Sequence, residues 1–111
     1  MFFKLSRSRL FLLSVTESIS LTLRVPEISR FYGIIIRMFF NDHNPPHFHA
    51  TYSEYSAQIN IDTGNVMNGE LPARAHKLVR EWVELHRVEL VKNYYESQKE
   101  GGIISKIEPL N

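Results

Sequence analysis

Between His47 and Asp62 the chain alternates apolar and polar residues twice, HFHATY and then YSAQINID, with only Ser53-Glu54 separating the two runs. Strict alternation marks a half-buried strand, and a two-residue gap marks a hairpin. Together they fix a register in which residue 52 faces 55, 50 faces 57, 48 faces 59 and 47 faces 60. Both strands then agree on the apolar face, and a slip of one residue would turn Ile59 and Ile61 outward. The opposite face presents His47, His49 and Thr51 beside Ser56, Gln58 and Asn60, with Asp62 at the strand end. Ser-Glu is not a favoured turn pair, since the twist-matched hairpin turns want Gly, Asn or Asp at positive φ, and a longer or bulged turn is the alternative.

The flanking segments extend this unit. The run Gly33 to Phe40, GIIIRMFF, is β-branched and aromatic and is read as the first strand, with Ile34, Ile36, Met38 and Phe40 toward the core and Arg37 on the polar face. Asp62-Thr-Gly-Asn65 is a turn signal, and Val66 to Asn68 adds a short extended piece. Pro72 opens a helix whose apolar positions Ala75, Leu78, Val79, Trp82, Val83 and Leu85 recur at helical spacing; it continues to Lys99, and Gly101-Gly102 supplies a stop. The expected architecture is α+β: a small three- to four-stranded antiparallel sheet, a meander, packed by one long C-terminal helix. Trp82 is its core anchor, whereas His76 and His86 take solvated positions.

A chain of 111 residues with 43% hydrophobic and 23% charged residues is ordinary for one globular domain. There is no cysteine, so any metal must rest on His and carboxylate, and a reducing cytosol would be tolerated; the expected location is cytoplasmic. Charge is uneven. Residues 1 to 24 carry a net +3 and residues 25 to 111 a net −2, which deprives the second part of the broad cationic surface that nucleic-acid binding draws on. Residues 1 to 24 match a secretion signal poorly, because Ser14 and Thr16 break the apolar run and no small-residue cleavage site follows. They are read as an N-terminal extension ahead of a single domain at 25–111, with an alternative start at Val25 as a further reading. No apolar run approaches the roughly 20 residues a membrane span needs.

The stretch from 41 to 50, NDHNPPHFHA, holds three of the five histidines. His47 and His49 at i and i+2 on one strand face stand about 6–7 Å apart, close enough to share an ion if Asp42, His43 or Asp62 supplies a third ligand. Without metal, the same imidazoles can divide base and acid roles while Arg37 offsets developing anionic charge, and Asn41, Asp42, His43, Gln58 and Asn60 surround them as ligand-binding groups. The third reading is a stiff polar loop, since Pro45 and Pro46 fix φ. If both histidines leave the sheet opposite Phe48, replacing them should cost little stability.

PEISRFYGIIIRMFFNDHNPPHFHA, YSEYSAQINID, LPARAHKLVREWVELHRVEL and KIEPL together resemble the small bacterial proteins of the domain of unknown function family 4160, over residues 26 to 111. The resemblance implies no activity. It implies a usual start near the Pro-Glu-Ile segment, a glycine in the hairpin where this chain has Ser53, and relatives encoded beside a second small family of unknown function, number 2442, in pairs that look like toxin and antitoxin. The leading expectation is therefore one component of such a module acting through a small cognate partner protein, with homo-oligomers and nucleic acid as further partners. The alternative is a histidine-dependent ribonuclease or metal-dependent hydrolase centred on His47 and His49.

Overall fold

The structure, a computed structural model, describes residues 25–111; the expectations for residues 1 to 24 lie outside the described residues. Five strands form one antiparallel meander in chain order: β1 (Glu27–Phe31), β2 (Ile34–Arg37), β3 (His47–Tyr52), β4 (Tyr55–Asn60) and β5 (Val66–Glu70). One helix follows, α1 (Ala73–Ser97).

The central hairpin adopts the expected register, with Tyr52 opposite Tyr55, Ala50 opposite Ala57, Phe48 opposite Ile59 and His47 opposite Asn60. The two-residue turn holds with its unfavoured pair because Ser53 takes a positive φ of 54°. That is the position at which the family resemblance implies glycine, the residue that reaches this region without steric cost. The α+β class stands, but the sheet has five strands instead of three or four. The unforeseen strand is β1. A bulge between Glu27 and Ser29 breaks its alternation, so that Ile28 and Ser29 are both buried and no period of two is visible. It joins β2 through Tyr32 and Gly33 at φ 51° and 82°, the two successive positive values of a twist-matched hairpin turn. The expected first strand ends at Arg37, short of Phe40.

At the other end of the sheet, Val66–Glu70 closes the meander through a second bulge, between Gln58 and Ile59. Next to that bulge Gly69, opposite Ala57, takes φ 78°, and a Cβ there would come within 2.2 Å of the Ser56 carbonyl oxygen. No other residue fits that approach.

One sheet face packs on α1. Ile34, Ile36, Met38, Phe48, Ala50, Ile59 and Ile61 meet Ala75, Val79, Trp82, Val83, Leu90 and Tyr94 in a single core. Trp82 lies against Phe31 and meets Phe48 edge-on at 5.7 Å, as expected of the anchor, and its indole N–H donates to the Glu108 carbonyl. Asn93, also buried, exchanges two hydrogen bonds with the backbone of Ser105, and Ile107 N–H donates to the Ile28 carbonyl. The C-terminal tail is thereby tied along the outer edge of β1. Leu85, counted from spacing among the core positions, is 68% exposed. The inward stripe runs through Ala75, Val79, Trp82, half-buried His86, Leu90, Asn93 and Ser97 at spacings of three and four, and Leu85 lies beside it on the flank away from Val83; the helix departs from regular geometry only at His86 (φ −128°, ψ 21°).

Candidate functional site

The segment between β2 and β3 crosses the end of the sheet and carries the histidine cluster. Its course is set from α1. Tyr94 O–H reaches the carbonyls of His43 (2.9 Å) and Asp42 (3.3 Å), Gln98 donates its side-chain N–H to the Asp42 carbonyl, and Asn41 N–H donates to the Ser97 carbonyl. Asn41 turns the chain at φ 60°, and the Asn44-Pro45 peptide is cis. These contacts deliver the Asp42 carboxylate to the polar side of β3.

Asp42 is the centre of the arrangement. Its Oδ2 lies 2.9 Å from His47 Nε2 and 2.9 Å from His49 Nε2, Oδ1 accepts the His43 backbone N–H, and His43 Nε2 stands 3.7 Å from Oδ1. Three imidazoles converge on one carboxylate. Asp42, His43 and His47 place one ligand atom each within 4.8 Å of one another. His49 instead stacks on Phe39 at 3.9 Å between ring centroids and donates to Asp42 from the side.

Sequence spacing placed His47 on an exposed face, and the structure corrects this. His47 is 1% exposed. The loop folds over it, Pro45 accepts its Nδ1–H at 2.8 Å, and its ring lies near Tyr94 and His43. His43 repeats the pattern, donating Nδ1–H to the Asn44 carbonyl at 3.1 Å. With Nδ1 committed as donor to those carbonyls, both histidines direct Nε2 toward the anionic carboxylate, as a bare lone pair when the ring is neutral and as a second donor when it is protonated. Lone pairs and a carboxylate at such distances repel unless a cation, a proton or a metal ion, lies between them.

Electrostatics follow the same geometry. Burial alone would raise the Asp42 carboxyl, but the hydrogen bond from His49, the His43 backbone N–H and the His47 contacts outweigh it and hold it below the usual range. Burial lowers His49, with the neighbouring imidazoles adding to the effect and Asp42 opposing it. Tyr94 is raised, first by burial and then by the Asp42 charge.

The remaining expected residues divide. Arg37 is the register partner of His49 on β2 and Gln58 its partner on β4, so both flank the cluster. Asn68 and Glu27 extend this row across the sheet, and sequence reasoning missed both because their strands were short or unassigned. A hollow of about 140 Å³ beside His49 is lined by Ser56, Gln58 and Asn68. Asn60 serves the following turn, its Oδ1 accepting Thr63 N–H. Asp62 is exposed and outside the cluster. His76 and His86, expected to be solvated, are half-buried and engaged, His76 with the Gly64 carbonyl and His86 with Glu89.

Residues 33–95, which carry the cluster, the central hairpin and nearly all of α1, match the family described as Domain of unknown function (DUF4160). The chain belongs to that family. No curated protein and no solved structure matches it. The DUF4160 match spans the loop together with the Tyr94 that holds it, so the cluster and its principal support fall within the family's own segment. Among the described residues no helix is long and apolar enough to cross a membrane.

Proposed function

We propose that this DUF4160 protein binds a divalent transition metal of the zinc class through Asp42, His43 and His47, and that it is a metal-dependent hydrolase. The observation that carries the reading is the pairing of each ligand histidine with a backbone carbonyl. Metal-bound imidazoles regularly donate the other ring N–H to a carbonyl or carboxylate, which fixes the tautomer and aims the lone pair at the ion. Ligand bonds of about 2.0–2.1 Å in a tetrahedral site set neighbouring donor atoms about 3.3 Å apart. Here Asp42 reaches His47 through Oδ2 at 2.9 Å and His43 through Oδ1 at 3.7 Å, and one ligand atom from each of the three residues lies within 4.8 Å of the others, so small side-chain movements bring the trio to that spacing. His49 holds the carboxylate in place from outside the trio.

Three protein ligands leave a fourth position, and exposed His43 puts it at the solvent side. A metal held there would supply Lewis-acid activation of water near neutral pH, while Arg37 beside His49 is available to anionic charge on a substrate. The test is metal analysis of the purified full chain after chelation and reloading with zinc, with thermal melting as a second readout. One equivalent of metal, a raised Tm on loading, and loss of both in His43→Ala are expected. No stoichiometric metal, with melting indifferent to chelator, would retire the reading and leave the cluster as a proton-bridged clamp on the loop.

The partner-protein reading has its own support. The row Glu27, Arg37, His49, Gln58 and Asn68 runs across the face opposite α1 and mixes both charges with amides, a composition suited to a polar protein interface. Under this reading the protein acts as one half of a toxin-antitoxin-like pair through that face.

A further inference from the structure

The outward side of α1 carries large apolar groups that the fold does not use. Leu85, Val88 and Tyr95 are 68%, 83% and 58% exposed. With half-buried Leu78 and with Glu81 and Lys92 they occupy positions 78, 81, 85, 88, 92 and 95, separated by three and four residues alternately. At about 100° per residue Leu78, Glu81 and Leu85 fall within an arc of about 60° before the irregular turn at His86, and Val88, Lys92 and Tyr95 within about 60° after it, and the exposure of Leu85 and Val88 on either side of that turn sets both halves outward, as a stripe that a second helix covers.

The spacing reads the same from both ends, with its midpoint between His86 and Arg87. Laid antiparallel on a copy of itself, the stripe brings Leu85 of one helix onto Val88 of the other twice, Leu78 onto Tyr95 twice, and Glu81 onto Lys92 twice. Glu81 and Lys92 have no ion-pair partner among the described residues, whereas Glu84 is paired with Arg87 and Glu89 with His86. The two unpaired charges of the stripe are therefore opposite in sign and symmetrically placed about its centre. A parallel copy would instead set Glu81 on Glu81 and Lys92 on Lys92, which like-charge repulsion disfavours. The Glu84 and Glu89 carboxylates that approach across the antiparallel pair are each engaged within their own helix, Glu84 by Arg87 and Glu89 by His86.

We infer that α1 is a homodimerisation surface, pairing antiparallel with α1 of a second copy about a two-fold axis at His86-Arg87, with a two-layer Leu85–Val88 centre flanked by reciprocal Glu81–Lys92 ion pairs. The loop of the histidine cluster is tied to α1 at Tyr94, Ser97 and Gln98, about two turns beyond Val88, so the Leu85–Val88 centre is separate from the metal reading.

Sedimentation equilibrium on the full chain tests it. A mass that rises toward twice the monomer's is expected at about 100 μM, the range in which a small interface is populated. Glu81→Lys and Lys92→Glu should each weaken association about tenfold, since each replaces two attractions by two repulsions. The double swap should restore it, and Leu85→Asp should abolish it with the far-UV spectrum unchanged. A monomer throughout this range, a dimer indifferent to Leu85→Asp, or a double swap that fails to recover, including a stripe that takes up only a foreign helix, would overturn the inference.

Discussion

The burial of His47 leads to a quantitative contrast with His49. The two are neighbours on one strand face, share Asp42 as a partner, and differ in what surrounds them. His47 has a fully buried side chain and two hydrogen-bonded nitrogens, one on Pro45 and one on Asp42. Replacement by Ala removes a bond to a charged partner, worth about 1.5–3 kcal/mol, and opens a ring-sized void beside Tyr94. The lost bond and the cavity together put His47→Ala at about 3–5 kcal/mol. His49 is 15% exposed at its side chain; its ring lies over Phe39, and solvent replaces part of what is lost. His49→Ala should cost about 1–2 kcal/mol. Urea unfolding in the presence of chelator isolates this contrast from metal binding, and unchanged m-values license reading the midpoints as stability. In a domain this size about 1 kcal/mol shifts Tm by roughly 4–8 °C, so the two variants should separate by several degrees. Phe48→Ala, which removes a core aromatic, supplies the upper reference at about 3–5 kcal/mol. If His47→Ala stays within about 0.5 kcal/mol of the parent, the ordinary range for surface changes, the loop does not cover His47 and the site geometry built on that burial fails.

Two further outcomes follow from the turn and from the titrating groups. Ser53→Gly should stabilise by about 0.5–1 kcal/mol, because Ser53 holds φ 54° at a left-handed cost of about 1–2 kcal/mol that glycine avoids while adding unfolded-state entropy; a loss of stability in thermal melts would show that the Ser53–Glu54 hydrogen bond matters more. Stability should fall with acidification in two windows. His49 is depressed by folding, so below about pH 6.5 the unfolded chain takes up a proton that the folded one does not, and stability drops until the lower folded value is passed. Asp42 is depressed as well, so its contribution is present above the ordinary carboxylate range near pH 4 and is lost as pH falls through its folded value. Urea midpoints measured from pH 8 to pH 3 should show both declines, and His49→Gln should erase the upper one; a flat profile between pH 7 and pH 5 in the parent would contradict the first.

What the sequence disclosed, and what it hid, follows from the range of the interactions concerned. The register of β3 on β4 was legible because it depends on a period of two and a two-residue gap, both local, and Arg37, His49 and Gln58 then fell into one row as expected. β1 was hidden by its bulge, which cancels the period that would announce it. The exposure of His47 was misjudged for a different reason. Alternation assigns a face to a side chain but says nothing about what later covers that face, and here the cover is a loop whose path is set by Tyr94, Ser97 and Gln98, some 50 residues onward. Asp42 was visible as one of several acids near the histidines, yet only the tertiary tie between that loop and the end of α1 makes it the point on which three imidazoles converge. Leu85 errs in the opposite direction, since it was counted with the core while the buried stripe through Ala75, Val79, Trp82, Leu90 and Asn93 passes to one side of it and leaves Leu85 beside Val88 on the outside. For His47 the pattern was read correctly and the covering neighbour was missing, whereas for Leu85 the inward stripe was drawn too wide. The features proposed to carry function, the metal trio and the outward stripe of α1, lie at those two places, where local pattern and tertiary surroundings disagree.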